Sequence, residues 1–255
     1  MKILVCIKQV PQKDAPLKLN EAGTWIREDV SYEVNEPDAY ALEEALRQKE
    51  KHGGEVVVLC AGPERAAQTI REALAKGADR AIHIETDTLE SLDTLGVAKL
   101  LTAAITPEKP DLILTGLQSD DLGAGQTGVV MAELLGIPHS TIIMQVEARE
   151  ASIRVKRELE NGWFQHIEIP MPAVLAMQSG SNKLRYATLM GIKKAKSKEI
   201  RRVTPAELGG TAAVVSTIEK IYLPQKSKQT QIFEGDAKTA AAQLVEKLKF
   251  EARVL

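Results

Sequence analysis

Short apolar runs alternate with stretches of helical periodicity along the first half of this chain. Four runs have the continuous apolar character of strands buried on both faces: Lys2–Ile7, Val56–Cys60, Arg80–Ile84 and Asp111–Thr115. Between them the apolar residues recur every three or four positions, which predicts helices. These helices begin near Glu36, after Pro63, at Leu92 and at Gln126. The alternation predicts an α/β fold on a doubly wound, mostly parallel sheet, with ligands at the carboxyl ends of the strands.

The pattern changes after His139. Ile153–Glu158 and Phe164–Ile169 flank Glu160-Asn161-Gly162, and Asn-Gly favours a tight turn with positive φ angles. This predicts a hairpin extension, followed by one more short strand, Ala173–Met177.

The last fifty residues are weakly patterned until Ala237–Lys249, an alanine-rich helix with a narrow apolar stripe. Such a segment is too short to build a core of its own, so the stripe needs the main domain or another chain to cover it. We therefore divide the chain into one α/β domain, residues 1–200, and an extended C-terminal arm, residues 201–255, that ends in this helix.

Composition narrows the function. Among 255 residues 44% are hydrophobic, and the net charge of −2 argues against nucleic-acid binding and a basic membrane anchor. Cys6 and Cys60 both lie in predicted strands, which indicates buried thiols rather than a disulfide or a metal site. Apolar runs fall short of the roughly 18 residues that a membrane span needs. With no targeting segment before the first strand, we expect a cytoplasmic protein.

The segment Gly116–Gly128 carries the clearest sign of chemistry. It follows a predicted strand and opens a helix, whose first amides form an anion site. Gly123, Gly125 and Gly128 would let the backbone approach a phosphate, and the Thr127 hydroxyl can donate as well. Asp120 and Asp121 could accept from ribose hydroxyls.

The same glycines spell G-x-G-x-x-G, but they stand too far behind the strand, and in the wrong βα unit, for a dinucleotide fingerprint. The alternative is a flexible loop without a ligand.

Two other strand ends converge with this loop if the sheet is parallel: Ile7–Pro11 and Ala61–Pro63. Asn35 is either a helix cap or a ligand to a nucleotide, and the sequence does not separate these readings. The four histidines are scattered, and neither a nucleophile–base pair nor a metal-ligand spacing stands out. Glu158 fits a solvent-facing strand carboxylate. Any redox chemistry must therefore belong to a cofactor.

Leu184–Lys198 combines exposed apolar residues with four lysines among Lys193–Lys198. It is either a solvated amphipathic segment or a docking loop, in which an apolar plug sits beside a basic patch that attracts acidic partners.

These segments resemble the β subunit of electron-transfer flavoproteins. The resemblance rests on Arg185–Leu189 with Ile192–Lys196, on Gly116–Gly128, on Asn35 with Ala41–Ala45, on Ala61–Pro63 and on Lys76–Arg80. It covers at least residues 1–208 and implies a Rossmann-like domain that holds a structural AMP. It also implies a heterodimer with an α subunit that carries the redox-active FAD, and a C-terminal arm that wraps around that subunit.

The resemblance carries specific residues as well. The AMP would be lined by Cys6, Asn35, Glu36, Pro37, Asp38, Ala61, Gln118, Ser119, Asp120, Asp121, Leu122, Gly123, Ala124, Gly125, Gln126, Thr127, Gly128 and Val129. In a recognition loop at about residues 183–198, Leu189 would anchor partner dehydrogenases of the acyl-CoA type, together with Arg185, Tyr186 and Lys194. Glu158 matches a carboxylate near the α-subunit flavin.

Three functions follow. The leading one is an electron carrier, not an enzyme in itself, that passes electrons to a quinone reductase or another acceptor without entering the membrane. A bifurcating subunit would hold FAD where the carrier holds AMP, and Gly123 and Gly125 depart from the acidic and Asn residues usual in the AMP-holding branch. A stand-alone nucleotide-sensing domain of the universal-stress type is the third.

Overall fold

A computed structural model describes residues 1–21, 23–27, 29–87, 91–210, 214–223 and 230–255. The chain divides into two compact units, Met1–Glu219 and Lys220–Leu255.

The first unit is built on one large sheet. Its strands are β1 (Lys2–Cys6), β4 (Glu55–Gly62), β5 (Arg80–Glu85), β6 (Leu112–Gly116), β7 (His139–Ala148), β8 (Ser152–Glu158), β9 (Phe164–Pro170), β10 (Ala173–Met177) and β11 (Ile200–Val203). They are ordered β11-β5-β4-β1-β6-β10-β7-β8-β9. Two further strands, β2 (Gln9–Pro11) and β3 (Tyr32–Val34), form a small antiparallel pair beside it.

All pairings from β11 through β10 to β7 are parallel, as predicted for a doubly wound fold. The helices of this part are α1 (Glu36–His52), α2 (Ala66–Lys76), α3 (Thr94–Ile105) and α4 (Thr127–Leu135). Alternate residues of each central strand point to opposite faces. Ile3 and Val5 pack in one core with residues of α1 and α2, whereas Leu4 and Cys6 pack in a second core with α3 and α4. The α/β fold class is confirmed.

The antiparallel extension consists of β7, β8 and β9. The predicted hairpin is confirmed, and Asn161 (φ 58°) and Gly162 (φ 77°) adopt the left-handed conformations of its turn. The sequence reading did not assign β7. This strand is irregular, because Ile142 has a positive φ and the register shifts against both neighbours, which breaks the strict alternation that marks a strand.

The segment after β10 differs from a plain loop. It contains α5 (Leu189–Ala195), and β11 then joins the edge of the sheet beside β5. The sheet therefore takes in the first residues of the segment that the sequence assigns to the arm.

The second unit contains the predicted C-terminal helix, α6 (Ala237–Phe250). Asp236 caps its N-terminus by accepting from the amide of Thr239 at 2.7 Å. Leu244, Val245 and Phe250 are exposed, and the helix has no buried residue.

Candidate functional site

The main cavity lies where the strand order reverses. From β1 the chain first builds outward through β4 and β5, and later continues on the other side of β1 with β6 and β10. At this switch point the carboxyl ends of β1 and β6 separate, and the loops that follow them surround a cleft. It is lined by Cys6, Ile7, Lys8, Asn35, Asp38, Ala61, Leu92, Asp93, Thr94, Val97, Leu101, Thr115, Gly116, Leu117, Gln118, Ser119, Leu122, Ala124, Gly125, Gln126, Thr127 and Gly128.

Most residues predicted to line a nucleotide meet here. Those on the wall are Cys6, Asn35, Asp38, Ala61, Gln118, Ser119, Leu122, Ala124, Gly125, Gln126, Thr127 and Gly128. The other predicted positions are not among the described residues that line the cleft: Glu36, Pro37, Asp120, Asp121, Gly123 and Val129.

Asp38 joins the two strand ends. It is buried near the start of α1, and its carboxylate accepts from the amide of Lys8 at 2.8 Å and from the amide of Gly116 at 2.9 Å. Burial raises the pKa of this carboxyl to about 7, although both hydrogen bonds oppose the shift. Asp38 thus holds β1 and β6 at a fixed separation on the floor of the cleft.

Asn35 organises the Gly116–Gly128 loop. Its side chain donates to the carbonyl of Gln118 at 2.9 Å and accepts from the amide of Asp120 at 2.9 Å. Asn35 stands at the N-cap position of α1 but makes no side-chain capping bond. The side chain is occupied by the loop, so its hydrogen bonds shape the wall of the cleft.

The outer part of the loop is tied to the first strand by an ion pair. Lys8 Nζ lies 2.7 Å from the Asp121 carboxylate, which also accepts from the amide of Leu122. Gly123 and Gly125 both have φ of 63°, and a Cβ at Gly123 would meet nothing within 4 Å. Gly123 therefore serves backbone conformation rather than close packing.

Gly128 has a different function from the other two glycines. A Cβ there would lie 2.8 Å from Thr115 Oγ1, so glycine lets α4 pack against the end of β6. The sequence pattern predicts, in addition, that this glycine lets the backbone approach a phosphate. The Thr115 hydroxyl is buried and has no hydrogen-bond partner among the described residues. It borders the cleft beside the first turn of α4, whose leading amides have no side-chain cap.

One wall of the cleft was missed by sequence reasoning. Leu92, Val97 and Leu101 present apolar side chains from α3 and the residue before its cap. Asp93 caps α3 by accepting from Gly96 at 2.8 Å, and its second oxygen accepts from the amides of Val215 and Ser216. The available signal was topological: α3 follows β5 and begins at the same edge of the sheet as the glycine loop.

The segment after β10 presents side chains to solvent. Tyr186 is 93% exposed and Leu189 87% exposed, although both are large and partly or wholly apolar. Lys194 is exposed in the last turn of α5. Arg185 differs from these three, because its guanidinium donates to the carboxylates of Glu43 and Glu50 on α1. It fastens the segment to the domain.

Comparison with known proteins identifies the family. The family described as "Electron transfer flavoprotein domain" matches residues 23–208. The chain is 38% identical over 257 residues to the electron transfer flavoprotein subunit beta of Methylophilus methylotrophus, covering 96% of this chain and 97% of that protein. The mitochondrial subunit beta of Oryza sativa subsp. japonica is 37% identical over the full length of both chains. The subunit beta of Bacillus subtilis is 32% identical, also over the full lengths.

The chain belongs to the electron transfer flavoprotein β-subunit family. This confirms the resemblance found in the sequence and places the chain among electron-carrier subunits.

Glu158, the predicted flavin-proximal residue, lies at the end of β8, next to the hairpin turn. Its carboxylate accepts from Gln178 Nε2 at 3.3 Å, and Trp163 and Phe164 are exposed on the far side of the turn. Lys156 Nζ lies 3.8 Å from the centre of the Phe164 ring.

Reactive side chains are scarce in the described residues. Cys6 and Cys60 are free and buried, and burial raises the pKa of both thiols, that of Cys60 to about 12. Such thiols stay protonated and behave as apolar side chains. The described part of the chain shows no cluster of His, Cys, Asp or Glu able to hold a metal ion. No helix within it is long and apolar enough to cross a bilayer.

Proposed function

We propose that this chain pairs with an electron transfer flavoprotein α subunit and holds a structural AMP in the cleft between β1 and β6. The observation that carries the proposal is the buried Thr115 hydroxyl, which lacks a partner in the described structure and borders the cleft beside the uncapped first turn of α4. A buried hydroxyl without a partner is costly unless a ligand satisfies it.

The two halves of the cleft fit the two ends of a nucleoside monophosphate. The first amides of α4, together with Gln126 and Thr127, would hold the phosphate, because a helix N-terminus favours an anion. Leu92, Val97 and Leu101 would contact the base through their apolar side chains. Asp38 and Asn35 would shape the cleft without donating to the phosphate, since their polar groups already bond to the backbone.

Redox chemistry in the complex would come from the FAD of the α subunit, which accepts and releases electrons. This chain would contribute Glu158 at the border of the flavin site. Some members of the family that this chain resembles have an aromatic residue in the loop after Val10. Here Lys13 lies in that loop and forms an ion pair with Glu36. Lys13 would therefore give this loop a polar rather than an aromatic contact.

The segment from residue 183 to residue 198 would dock electron donors of the acyl-CoA dehydrogenase type. Leu189 offers an exposed apolar anchor, and Lys193 and Lys194 follow it on the same short helix. Positive charge beside an apolar plug favours an acidic partner surface and speeds the encounter. A quinone reductase or another acceptor would receive the electrons. The arm, with its exposed helix α6, would wrap around the α subunit.

The nucleotide content of the purified complex tests this proposal. The chain is produced with its α subunit, the complex is denatured, and the released nucleotides are separated and quantified. One FAD and one AMP for each heterodimer is the expected result.

Other contents would contradict it in different ways. Two FAD for each heterodimer would exclude AMP and point to a bifurcating subunit with FAD in the β1–β6 cleft. A monomer that carries ATP and fails to bind the α subunit would exclude the carrier function altogether.

A further inference from the structure

Helices α2 and α5 exchange capping groups at their C-terminal ends. Arg71, on α2, donates from Nη1 to the carbonyl of Ala195 at 2.6 Å and to the carbonyl of Lys198 at 2.8 Å. Lys198, just beyond α5, donates from Nζ to the carbonyl of Leu74 at 3.0 Å and to that of Ala78. The last carbonyls of a helix have no intrahelical partner and carry a partial negative charge. Arg71 of α2 thus caps the end of α5, and Lys198, which follows α5 in the chain, caps the end of α2.

The contact between the two helices is also close in shape. A Cβ on Gly191 would lie 2.2 Å from the carbonyl oxygen of Ala75, so only glycine lets α5 approach the end of α2 this closely. Thr188 caps the start of α5 by accepting from the amide of Gly191 at 3.0 Å.

The helix α5 contributes little to the hydrophobic core. Ala195 is the one buried residue of α5, whereas Leu189, Met190 and Ile192 are 87%, 63% and 47% exposed. Burial also lowers the pKa of Lys198, which means that placing this ammonium group between the helices opposes its charged form. Because α5 contributes a single small side chain to the core, core packing does not account for the hydrogen bonds that hold this helix.

We infer that Arg71 and Lys198 are positioning residues for docking: they hold α5 so that Leu189 is presented to a partner dehydrogenase in its bound geometry. This inference rests on the proposed docking function of the segment. It adds Arg71, which lies outside the predicted recognition loop, and it gives Lys198, at the end of that loop, a role in holding α5 against α2.

The physical reason is the cost of ordering. An exposed apolar anchor on a mobile segment loses conformational freedom when a partner binds, and this loss weakens the complex. A segment already fixed by Arg71, Lys198 and Gly191 has lost that freedom during folding. Partner binding then gains from the same contacts without the penalty.

The test uses the complete αβ complex with Arg71→Met, with Lys198→Met and with Leu189→Ala. Both methionine variants remove the cation and keep an apolar stem. Lys99→Met is the matched control, because Lys99 is an exposed lysine on α3, a helix that packs in the other core from α2. Hydrogen exchange of the amides of residues 189–195 reports the order of α5. The KM and kcat of an acyl-CoA dehydrogenase, with the complex as electron acceptor, report docking and transfer separately.

We expect each cap variant to speed exchange in residues 189–195 by about ten-fold and to raise KM about five-fold. The value of kcat and the nucleotide content should stay at wild-type levels, as should every value for the Lys99 control. Because the two cap variants act on opposite helices, agreement between them separates positioning from a local folding defect.

Unchanged exchange in both variants would overturn the inference. Faster exchange with an unchanged KM would also overturn it if Leu189→Ala raises KM. The segment would then dock the dehydrogenase, but the hydrogen bonds of Arg71 and Lys198 would not contribute to docking. If Leu189→Ala also leaves KM unchanged, the docking function itself fails, and the inference fails with it.

Discussion

The amide of Gly116 donates to the carboxylate of Asp38 at 2.9 Å, and a Cβ on residue 116 would lie 2.3 Å from the same carboxylate oxygen. Glycine at the end of β6 is thus required by the group that fixes β6 beside β1. In the sequence Gly116 ends a predicted strand and opens the Gly116–Gly128 segment, and neither feature signals its contact with Asp38. Its structural importance follows from Asp38, which lies 78 residues earlier in the chain.

Gly116→Ala should destabilise the complex by about 3 kcal/mol, the upper part of the range for overpacking, because the methyl group collides with the backbone of Asp38 as well as its side chain. It should also release the bound nucleotide. Gly136→Ala is the control: it has a positive φ but open space, so it should cost about 1 kcal/mol and retain the nucleotide. Chemical denaturation and nucleotide quantification measure both effects. Retention of nucleotide by Gly116→Ala would contradict the account.

Asp38 should make stability depend on pH. An unfolded aspartate has a pKa of about 3.9, whereas burial raises the pKa of Asp38 to about 7. Between these values the folded chain keeps a proton that the unfolded chain has released, so stability falls as pH rises through this window. The slope from this group is at most about 1.4 kcal/mol per pH unit.

Asp38→Asn should remove that slope between about pH 5 and 7. It should also lower stability at every pH, because one carboxylate oxygen that accepts an amide becomes an NH₂ donor. Denaturant unfolding of wild type and variant at several pH values measures the difference. Parallel pH profiles for the two proteins would show that Asp38 does not titrate in this window.

Asn35→Ala should loosen the loop that follows β6. The change leaves the carbonyl of Gln118 and the amide of Asp120 without their partner, at a cost of roughly 1–3 kcal/mol. Nucleotide affinity should fall by about ten-fold or more. Asn35→Asp keeps the acceptor and loses the donor, so it should give an intermediate affinity. Calorimetric titration with AMP checks the order, and an Asn35→Asp variant as weak as Asn35→Ala would be inconsistent with it.

Thr115→Val should weaken nucleotide binding by roughly five-fold while leaving the stability of the nucleotide-free complex unchanged or slightly raised. The reason is that the hydroxyl bonds to no described residue and is available to a ligand. Thr102→Val is a matched control, since Thr102 also has a buried hydroxyl without a partner in the described structure but lies outside the cleft lining. Equal AMP affinities for Thr115→Val and wild type would remove Thr115 from the site.

Leu189→Ala should raise the KM for electron transfer from an acyl-CoA dehydrogenase roughly 10- to 30-fold, as truncation of an interface anchor does. Nucleotide content should not change, because Leu189 is solvent-exposed and absent from the cleft lining. Leu134→Ala, on α4, removes another partly exposed leucine and should leave KM unaltered. An equal effect of the two variants would argue against an anchor.

The sequence was sufficient for the regular half of the fold. Buried parallel strands and amphipathic helices each leave a clear period, so β1, β4, β5, β6 and the helices between them were predicted within a few residues. The strand β7 was not predicted because a positive φ at Ile142 interrupts the alternation of its side chains between the two faces of the sheet. The helix α5 was not predicted because its apolar residues are exposed, whereas an amphipathic pattern predicts that they are buried.

The site was predictable only in part for a similar reason. Glycines and a helix start are local signals, and they located the loop. Thr115 on β6 and Val97 on α3 belong to ordinary strand and helix patterns, and only the sheet order brings them to the cleft. Asn35 could be read as a cap or a ligand, and its bonds to Gln118 and Asp120 join positions 83 and 85 residues apart.

Every described residue that lines the cleft lies between Cys6 and Gly128, whereas the proposed docking segment and the arm come later in the chain. Synthesis on the ribosome proceeds from the N-terminus, and the parts of a chain that emerge first can begin to fold first. The described residues of the cleft are therefore made before those proposed to face partners. Along the sequence, the residues of the proposed nucleotide site therefore come before the surfaces proposed to join the chain to an assembly.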